Sequence, residues 1–382
     1  MNRKTTSAAG LLIALAAAFL FAEYGWRQSA LMLVGSVAGI ALYHAAFGFT
    51  SAWGNLITHG DGSGLRAQML MLAATTIVFL PLIAHGEVFG TPVRGSVAPL
   101  ALAGVFGAFL FGVGMQLGGG CASGTLYTVG GGSTRMFVTL LGFIAGSVFG
   151  AWNLPSWDNL PNIGTFSLLE NFGLSGGLAS NLALLAAVVG FSIWIERRRR
   201  LRRPAGTSKN DRASRWLTGP WPLAAGALAL ALVNVATLAL AGRPWGVTSA
   251  FALWGSKLLG ATGLDVAAWP YWSSPGRAAA LAGPVFNDVT SIMNIGVILG
   301  ALLAAGLAGR FAPVWRVPLH SLTAALLGGI LLGYGARLAY GCNIGAFFSG
   351  VASSSLHGWL WFIAAFIGNM AGTRLRPLFR LA

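Results

Sequence analysis

Two stretches of the chain, GAFLFGVGMQLGGGCASG at 107–124 and GGILLGYGARLAYGCNIG at 328–345, align without a gap. Each joins an apolar, glycine-rich run to a turn that holds one of the two cysteines of the chain. We call 118–124 and 340–345 the Gly-Cys segments. A shorter match pairs GFTSAW at 48–53 with GVTSAF at 246–251. Two matches in the same order indicate an internal duplication.

The composition around these stretches is that of a membrane protein. Of 382 residues, 55% are hydrophobic and 9% are charged, whereas a soluble domain carries about 25% charged residues. The net charge of +15 does not indicate nucleic acid, because nine Lys/Arg lie between Arg197 and Arg215 and the others are scattered in short loops. Two cysteines so far apart form neither a disulfide framework nor a metal cluster.

The apolar runs predict an all-α polytopic membrane protein with about ten spans. The predicted spans are 7–22, 29–49, 68–84, 97–117, 136–152, 177–195, 223–241, 289–308, 319–338 and 356–370. The first run is similar to a signal peptide, but we interpret it as a helix because further spans follow. Glycine-rich pieces at 247–264 and around each cysteine predict half-helices or re-entrant segments.

The charge distribution predicts the orientation. With the N-terminus in the cytoplasm, 18 of the 24 Lys/Arg lie inside and five outside, and the C-terminus is also cytoplasmic. The predicted parts are an extra span (1–28), a first repeat (29–152), a connecting span with a basic linker (153–222) and a second repeat (223–382). The first repeat begins outside and the second inside. Inverted repeats with broken helices meeting at the membrane centre are typical of transporters and channels.

The Gly-Cys segments are the first candidate functional residues. Glycine lets the backbone approach a small solute closely, and a thiol is a soft, weak hydrogen-bond donor. Alternatively, the glycines allow close helix packing and the cysteines fill space. Two copies in register favour a function. The candidate path residues here are Cys121, Cys342, Gly120, Gly341, Ser123 and Asn343.

Polar residues inside or beside spans extend this path. Arg337 precedes Cys342, and Gln116 stands at the aligned position. An intramembrane guanidinium would attract an anion, or it would extend to the membrane surface from the end of its span. Hydroxyls at helix breaks bind anions or serve as N-caps. These hydroxyl residues are Thr50, Ser51, Thr248 and Ser249.

Several kinds of chemistry are not expected. All nine Asp/Glu lie in loops or at span edges, so we expect no proton relay or sodium site and favour channel-like or partner-driven uptake. We expect no catalytic residues, metal or cofactor. The arginine run at 197–203 would bind membrane lipids or a partner such as a cytoplasmic sulfur-carrier protein.

With these motifs the chain resembles the YeeE/YedE family of bacterial inner-membrane proteins, whose characterised members take up thiosulfate. The resemblance covers residues 29–372 and includes both Gly-Cys segments. It implies an hourglass of inverted repeats, with Cys121 and Cys342 as relay thiols for a small sulfur anion. Thiosulfate transporters of the family have a third cysteine in the first segment. Residues 48–53 have none, so Thr50 or Ser51 would substitute.

Three functions stay open at this point. The first is an inner-membrane permease for thiosulfate, or for sulfite, another sulfur oxyanion, a persulfide or a selenium compound. The second is a membrane thiol protein that transfers electrons or persulfide sulfur, although the sequence shows no base beside either thiol. The third is a partner-binding subunit that docks through 197–203.

Overall fold

The computed structural model describes residues 1–199 and 216–381, and it is predominantly α-helical with very little sheet. The long helices are α1 (Arg3–Tyr24), α2 (Trp26–His44), α4 (Ser63–His85), α5 (Leu102–Gly118), α7 (Thr134–Asn153), α8 (Leu168–Arg198), α9 (Leu223–Ala241), α12 (Val289–Ala308), α13 (Leu319–Leu338) and α15 (Leu356–Leu375). Within the described ranges, nine helical segments are long and apolar enough to cross a membrane. The 20-residue α15, packed against α5, is the tenth long helix. The chain is a multi-pass α-helical membrane protein.

Short elements interrupt this series. The short helices are α3 (Phe49–His59), α6 (Ala122–Gly130), α10 (Ser249–Gly260), α11 (Pro275–Ala282), a π-helix (Asn343–Phe348) and α14 (Ser349–Ala352). Two antiparallel pairs of strands join β1 (Glu87–Val88) to β2 (Thr91–Pro92) and β3 (Pro99–Ala101) to β4 (Asn162–Thr165). The predicted half-helices at 247–264 and around each cysteine therefore exist as α10, α6, and the π-helix with α14.

The two ends of the helix bundle differ in charge. One end carries Arg66, Arg135, Arg199 and Arg376, and we call it the basic end. Arg66 pairs there with Glu196 across 2.6 Å, and Met1 lies beside Gly309 at the same end. Leu381, near the C-terminus, lines the same cavity as Arg135 and Arg376. The other end, which holds α11 and the strand pairs, is the opposite end.

Contacts between the two halves of the chain occur in matched pairs. The helix α5 packs on α15 as α13 packs on α7, and α2 packs on α12 as α9 packs on α4. The short elements follow the same pattern, since α6 contacts α12 and α14 contacts α4. At the centre, α5 packs directly on α13. A pseudo-two-fold axis between two inverted repeats would produce this set of pairs.

Glycines bring these helices into backbone contact at equivalent places. A Cβ built on Gly112 would lie 2.0 Å from the carbonyl oxygen of Ala365, and one on Gly333 would lie 2.2 Å from that of Phe143. Gly368 and Gly146 meet carbonyl oxygens of α5 and α13 just as closely. Small residues are needed where transmembrane helices approach this closely. The packing alternative therefore explains the glycines inside α5 and α13.

Several predicted span limits are wrong. The second span ends at His44, and a turn separates it from α3. The fourth begins at Leu102, because residues 99–101 pair with β4 instead. The sixth begins at Leu168 and has a non-helical break at Gly173 (φ 68°). Most of the predicted basic linker lies outside the described residues.

Candidate functional site

Two cavities open towards the two ends of the bundle, and each contains predicted path residues. The basic-end vestibule has a volume of about 620 Å³. The opposite-end vestibule has a volume of about 390 Å³. Predicted residues that line the first are Thr50, Ser51 and Gln116, and those that line the second are Thr248, Ser249, Arg337 and Gly341.

Both thiols lie between the vestibules, in the hydrophobic core. Cys121 is 2% exposed and Cys342 is 0% exposed, and neither lines a vestibule. They belong to the same buried cluster, and α6 contacts the π-helix. The Gly-Cys segments therefore form the centre of a closed plug, with one vestibule on each side of it.

Cys121 is the N-cap residue of α6. Its Sγ accepts a hydrogen bond from the N–H of Gly124 at 3.4 Å and lies 3.4 Å from the Ser123 hydroxyl. The thiol also interacts with the backbone of Phe49 at the start of α3. A helix N-terminus presents free N–H groups and a partial positive charge, so this thiol lies where an anionic group is stabilised.

Cys342 occupies the matching position before the π-helix, with a different local structure. Its carbonyl accepts from the N–H groups of Ala346 (2.8 Å) and Phe347 (3.3 Å), the second being the i to i+5 bond of a π-helix. Its thiol lies against the backbone of Ile344 and Gly345. Single π-helical turns occur frequently at functional sites.

The neighbouring Asn343 is fully buried, and neither its amide nitrogen nor its carbonyl oxygen has a hydrogen-bond partner in the described structure. A buried amide without partners costs free energy. Asn343 therefore offers one donor group and one acceptor beside the Cys342 thiol that a polar solute could satisfy.

The glycines before the cysteines serve different local needs. Gly341 has φ of 151°, and a Cβ there would lie 3.0 Å from the nitrogen of Ala346. Gly120 has no positive φ, and a Cβ there would meet the methyl end of Met136 at 2.9 Å. Backbone conformation therefore demands glycine at 341, whereas at 120 glycine is favoured only by packing, against the end of Met136 and, at 3.3 Å, the backbone nitrogen of Thr125.

Arg337 is buried rather than extended to the membrane surface. It is 9% exposed; Nη1 donates to the Tyr271 hydroxyl and Nη2 to the Thr248 hydroxyl, both at 2.7 Å. Its Nε has no partner, and no carboxylate pairs with it in the described ranges. The opposite-end vestibule therefore contains an uncompensated positive charge.

The aligned position in the first half is neutral. Gln116 donates to Asn369 at 2.9 Å and to the Thr50 carbonyl at 3.4 Å, and it accepts from Arg376 at 3.5 Å. The guanidinium of nearby Arg135 donates hydrogen bonds to the carbonyls of Leu117 and Gly118 at the end of α5. The two vestibules are thus equivalent in position, but the aligned residue is neutral in one and charged in the other.

The four hydroxyl residues predicted at the helix breaks do not act as side-chain N-caps. Thr248 accepts from Arg337 instead, and the Thr50 hydroxyl is buried without a partner. Ser51 donates to the Gly48 carbonyl, and Ser249 lies 3.1 Å from the Thr290 hydroxyl. All four residues stand at a helix start that faces a vestibule.

Sequence reasoning missed Tyr271, which holds Arg337 in place. Tyr271 lies between α10 and α12 in a segment that has no counterpart between α3 and α4. No motif marks it, because its contact with Arg337 joins residues 66 positions apart. In the described residues, no cluster of His, Cys, Asp or Glu could hold a metal ion.

The fold and the site together define a polytopic membrane protein with two polar vestibules that are separated by a buried thiol-containing plug. The family model described as Sulphur transport matches residues 44–371. The chain belongs to this family, which confirms the YeeE/YedE resemblance, and it is a transporter of sulfur compounds.

Similarity to individual named proteins supports the same family assignment. The chain is 31% identical over 358 residues to the thiosulfate transporter TsuA of Spirochaeta thermophila, covering 88% of this chain and 96% of the relative. It is 23% identical over 359 residues to TsuA of Escherichia coli, covering 88% and 91%. It is 34% identical over 170 residues to the probable transporter YedE of Escherichia coli, covering 44% and 41%.

Proposed function

We propose that this protein is a bacterial inner-membrane permease that takes up a small sulfur-containing anion, thiosulfate first, past Cys121 and Cys342. The observation that carries this proposal is the burial of both thiols where α6 and the π-helix meet between two vestibules. The names of two relatives, thiosulfate transporter TsuA, favour thiosulfate as the substrate. Both termini would then be cytoplasmic, with the basic end inside.

The chemistry of the thiols suits a transient contact. A thiol is a weak, polarizable donor, and the terminal sulfur of thiosulfate is a weak, polarizable acceptor. Each contact is then weak enough to break quickly, as conduction requires. The N–H groups at the start of α6 and of the π-helix would stabilise the negative charge during the passage.

The predicted path residues would act in order from outside to inside. Arg337, Thr248 and Ser249 would receive the anion, and Gly341 would allow its approach to Cys342 and Asn343. Gly120 and Ser123 would stand beside Cys121, and Thr50, Ser51 and Gln116 would receive the anion at the basic end. A cytoplasmic sulfur-carrier protein would collect the product there, and membrane lipids would surround the bundle.

Uptake of labelled thiosulfate into proteoliposomes tests the proposal, with sulfate and sulfite as competitors. We expect Cys121→Ala and Cys342→Ala each to abolish uptake while the purified protein still folds, because alanine removes only the Sγ atom and with it the hydrogen-bond donor. Ala103→Ser, near the start of α5 and outside both Gly-Cys segments, is the control and should transport normally.

Full uptake by both alanine variants would disprove the thiol relay. A disulfide between Cys121 and Cys342 that accumulates during turnover would instead favour the thiol-transfer alternative. Competition by sulfate as strong as that by thiosulfate would show that the terminal sulfur is not recognised.

A further inference from the structure

The segment between α10 and α12 covers the opposite-end vestibule, and it contributes residues that the Gly-Cys segments do not. Residues 261–288 contain α11 and several short 3₁₀ turns, whereas only residues 60–62 connect α3 to α4 at the equivalent place. Tyr271 and Arg277 of this segment line the vestibule together with Arg337. We call 261–288 the cap segment.

Tyr271 is rigidly held in the cap segment. It is buried, and its ring meets that of Trp272 edge-on with centroids 4.9 Å apart. Both rings pack in a small core with Ala252 and Leu253 of α10 and Ala151 of α7. The cap is therefore attached to two helices of the bundle, and the Tyr271 hydroxyl has a fixed position.

Tyr271 organises two guanidinium groups at once. Its hydroxyl accepts from Arg337 Nη1 at 2.7 Å, and its carbonyl accepts from Arg277 Nη1 at 3.1 Å. The guanidinium carbon of Arg277 lies 4.3 Å from the centre of the tyrosine ring. Cation–π contact and hydrogen bonding together hold a charge in place at the vestibule. One residue, through its carbonyl, its ring and its hydroxyl, thus holds an exposed arginine and a buried one.

The third arginine of the vestibule differs because its charge is already compensated. Arg243 lies 3.8 Å from the Asp288 carboxylate and donates to Thr290 at 3.1 Å. Neither Arg277 nor Arg337 has a carboxylate partner in the described residues. The buried Nε of Arg337 has no hydrogen-bond partner at all. A buried guanidinium of this kind favours an anion, which supplies both charge and acceptor atoms.

We propose that Tyr271, Arg277 and Arg337 form a capture site for a small oxyanion, which binds in the opposite-end vestibule before the anion reaches Cys342. The site rests on the proposed function, because it would supply the anion that the thiols pass on. Arg277 would attract the anion from solution and Arg337 would bind its oxygen atoms, with Thr248 and Tyr271 holding the guanidinium. The first half has Gln116 and no cap, so the site exists on one side only.

The test is the concentration dependence of thiosulfate uptake in proteoliposomes. We expect Arg337→Gln, which introduces the residue found at the aligned position, to raise KM by about tenfold or more, as the loss of a hydrogen bond to a charged group predicts. Tyr271→Phe, which removes only a hydroxyl, should raise KM by about threefold to tenfold. In both variants the maximal rate should stay near that of the unchanged protein.

Two further measurements separate capture from a structural role. Arg243→Gln combined with Asp288→Asn is the matched control, and its KM should change little because the double substitution removes a compensated ion pair and leaves the net charge near the vestibule unchanged. Added KCl should raise the KM of the unchanged protein more than that of Arg277→Gln, because salt screens an exposed charge. Each variant is checked for its melting temperature in detergent.

The outcomes distinguish this inference from the proposed function. An unchanged KM in both Arg337→Gln and Tyr271→Phe overturns the capture site and leaves the thiol relay intact. A lost maximal rate with an unchanged KM also overturns it, because the residues would then act in the plug. If the cysteine variants transport normally while these variants raise KM, the capture site stands and the thiol relay fails.

Discussion

Cys121 and Cys342 stand at matching positions of a shared scaffold, but the two Gly-Cys segments differ in conformation and in partners. Cys121 starts a regular α-helix and has the Ser123 hydroxyl 3.4 Å from its thiol. Cys342 starts a π-helix and has the unpartnered Asn343 beside it. The packing of the helices therefore fixes the positions of the thiols, and a few side chains determine how each end of the protein would bind an anion.

The same contrast extends to the vestibules. The second half places a buried arginine in its vestibule, and the first half places a glutamine at the aligned position. Gly150 of α7 leaves room for Arg337, as Gly372 does for Gln116. Both halves therefore leave the same space beside a facing helix, but the side chain that fills it is charged in one half and neutral in the other. Four predictions test this separation of scaffold from chemistry.

The largest effect is expected where the scaffold is the same in both halves. Gly112→Ala and Gly333→Ala should each destabilise the protein by about 3 kcal/mol or more, because the new Cβ would collide with a backbone carbonyl of the facing helix. Thermal melting in detergent measures this loss of stability. Gly190→Ala in α8 has no atom within 4 Å of the new Cβ and should melt normally. Unequal losses at 112 and 333 would contradict the matched packing.

The next effect concerns the thiols themselves. Cys342→Ser should reduce the maximal uptake rate by about tenfold more than Cys121→Ser, because Ser123 already places a hydroxyl beside position 121, whereas in the described structure no hydroxyl is hydrogen-bonded to the Cys342 thiol. Initial rates in proteoliposomes check this. Ser123→Ala combined with Cys121→Ser should remove the difference. Equal rates for the two serine variants would show that the segments are functionally equivalent.

The third effect concerns the glycines before the thiols. Gly341→Ala should cost about 1–3 kcal/mol of stability from its positive φ alone, and it should lower uptake. Gly120→Ala should be mild, because the flexible end of Met136 can move aside. Melting temperature and uptake are measured for both. A milder effect at 341 than at 120 would mean that the conformation of the second segment does not require glycine.

The smallest effect is expected at the threonines. Thr248→Val leaves Arg337 Nη2 without an acceptor and should raise KM by about fivefold. Thr50→Val removes a hydroxyl that has no partner, so it should keep its melting temperature and lower only the maximal rate if Thr50 receives the anion. The kinetic constants of the two variants are compared side by side. A raised KM in both would remove the predicted difference between the vestibules.

Much of the fold follows from local sequence, and the exceptions have a physical cause. The apolar runs located the ten long helices, because hydrophobic length is a local property. Their limits were less accurate at 97–101, which is apolar but pairs with β4 from a distant part of the chain. The break at Gly173 was also missed, since an apolar run does not reveal a change of backbone direction.

The sequence by itself determined that the chain is a helical membrane protein with two cysteines, each flanked by glycines, in a duplicated pattern. Composition and residue spacing are local properties, so they can be read directly from the sequence. Only the tertiary structure decided that Arg337 is buried, that Tyr271 and Thr248 hold it, and that the second Gly-Cys segment is a π-helix. These features depend on contacts between distant residues such as Tyr271 and Arg337. Such contacts arise when helices pack, and no local pattern encodes them.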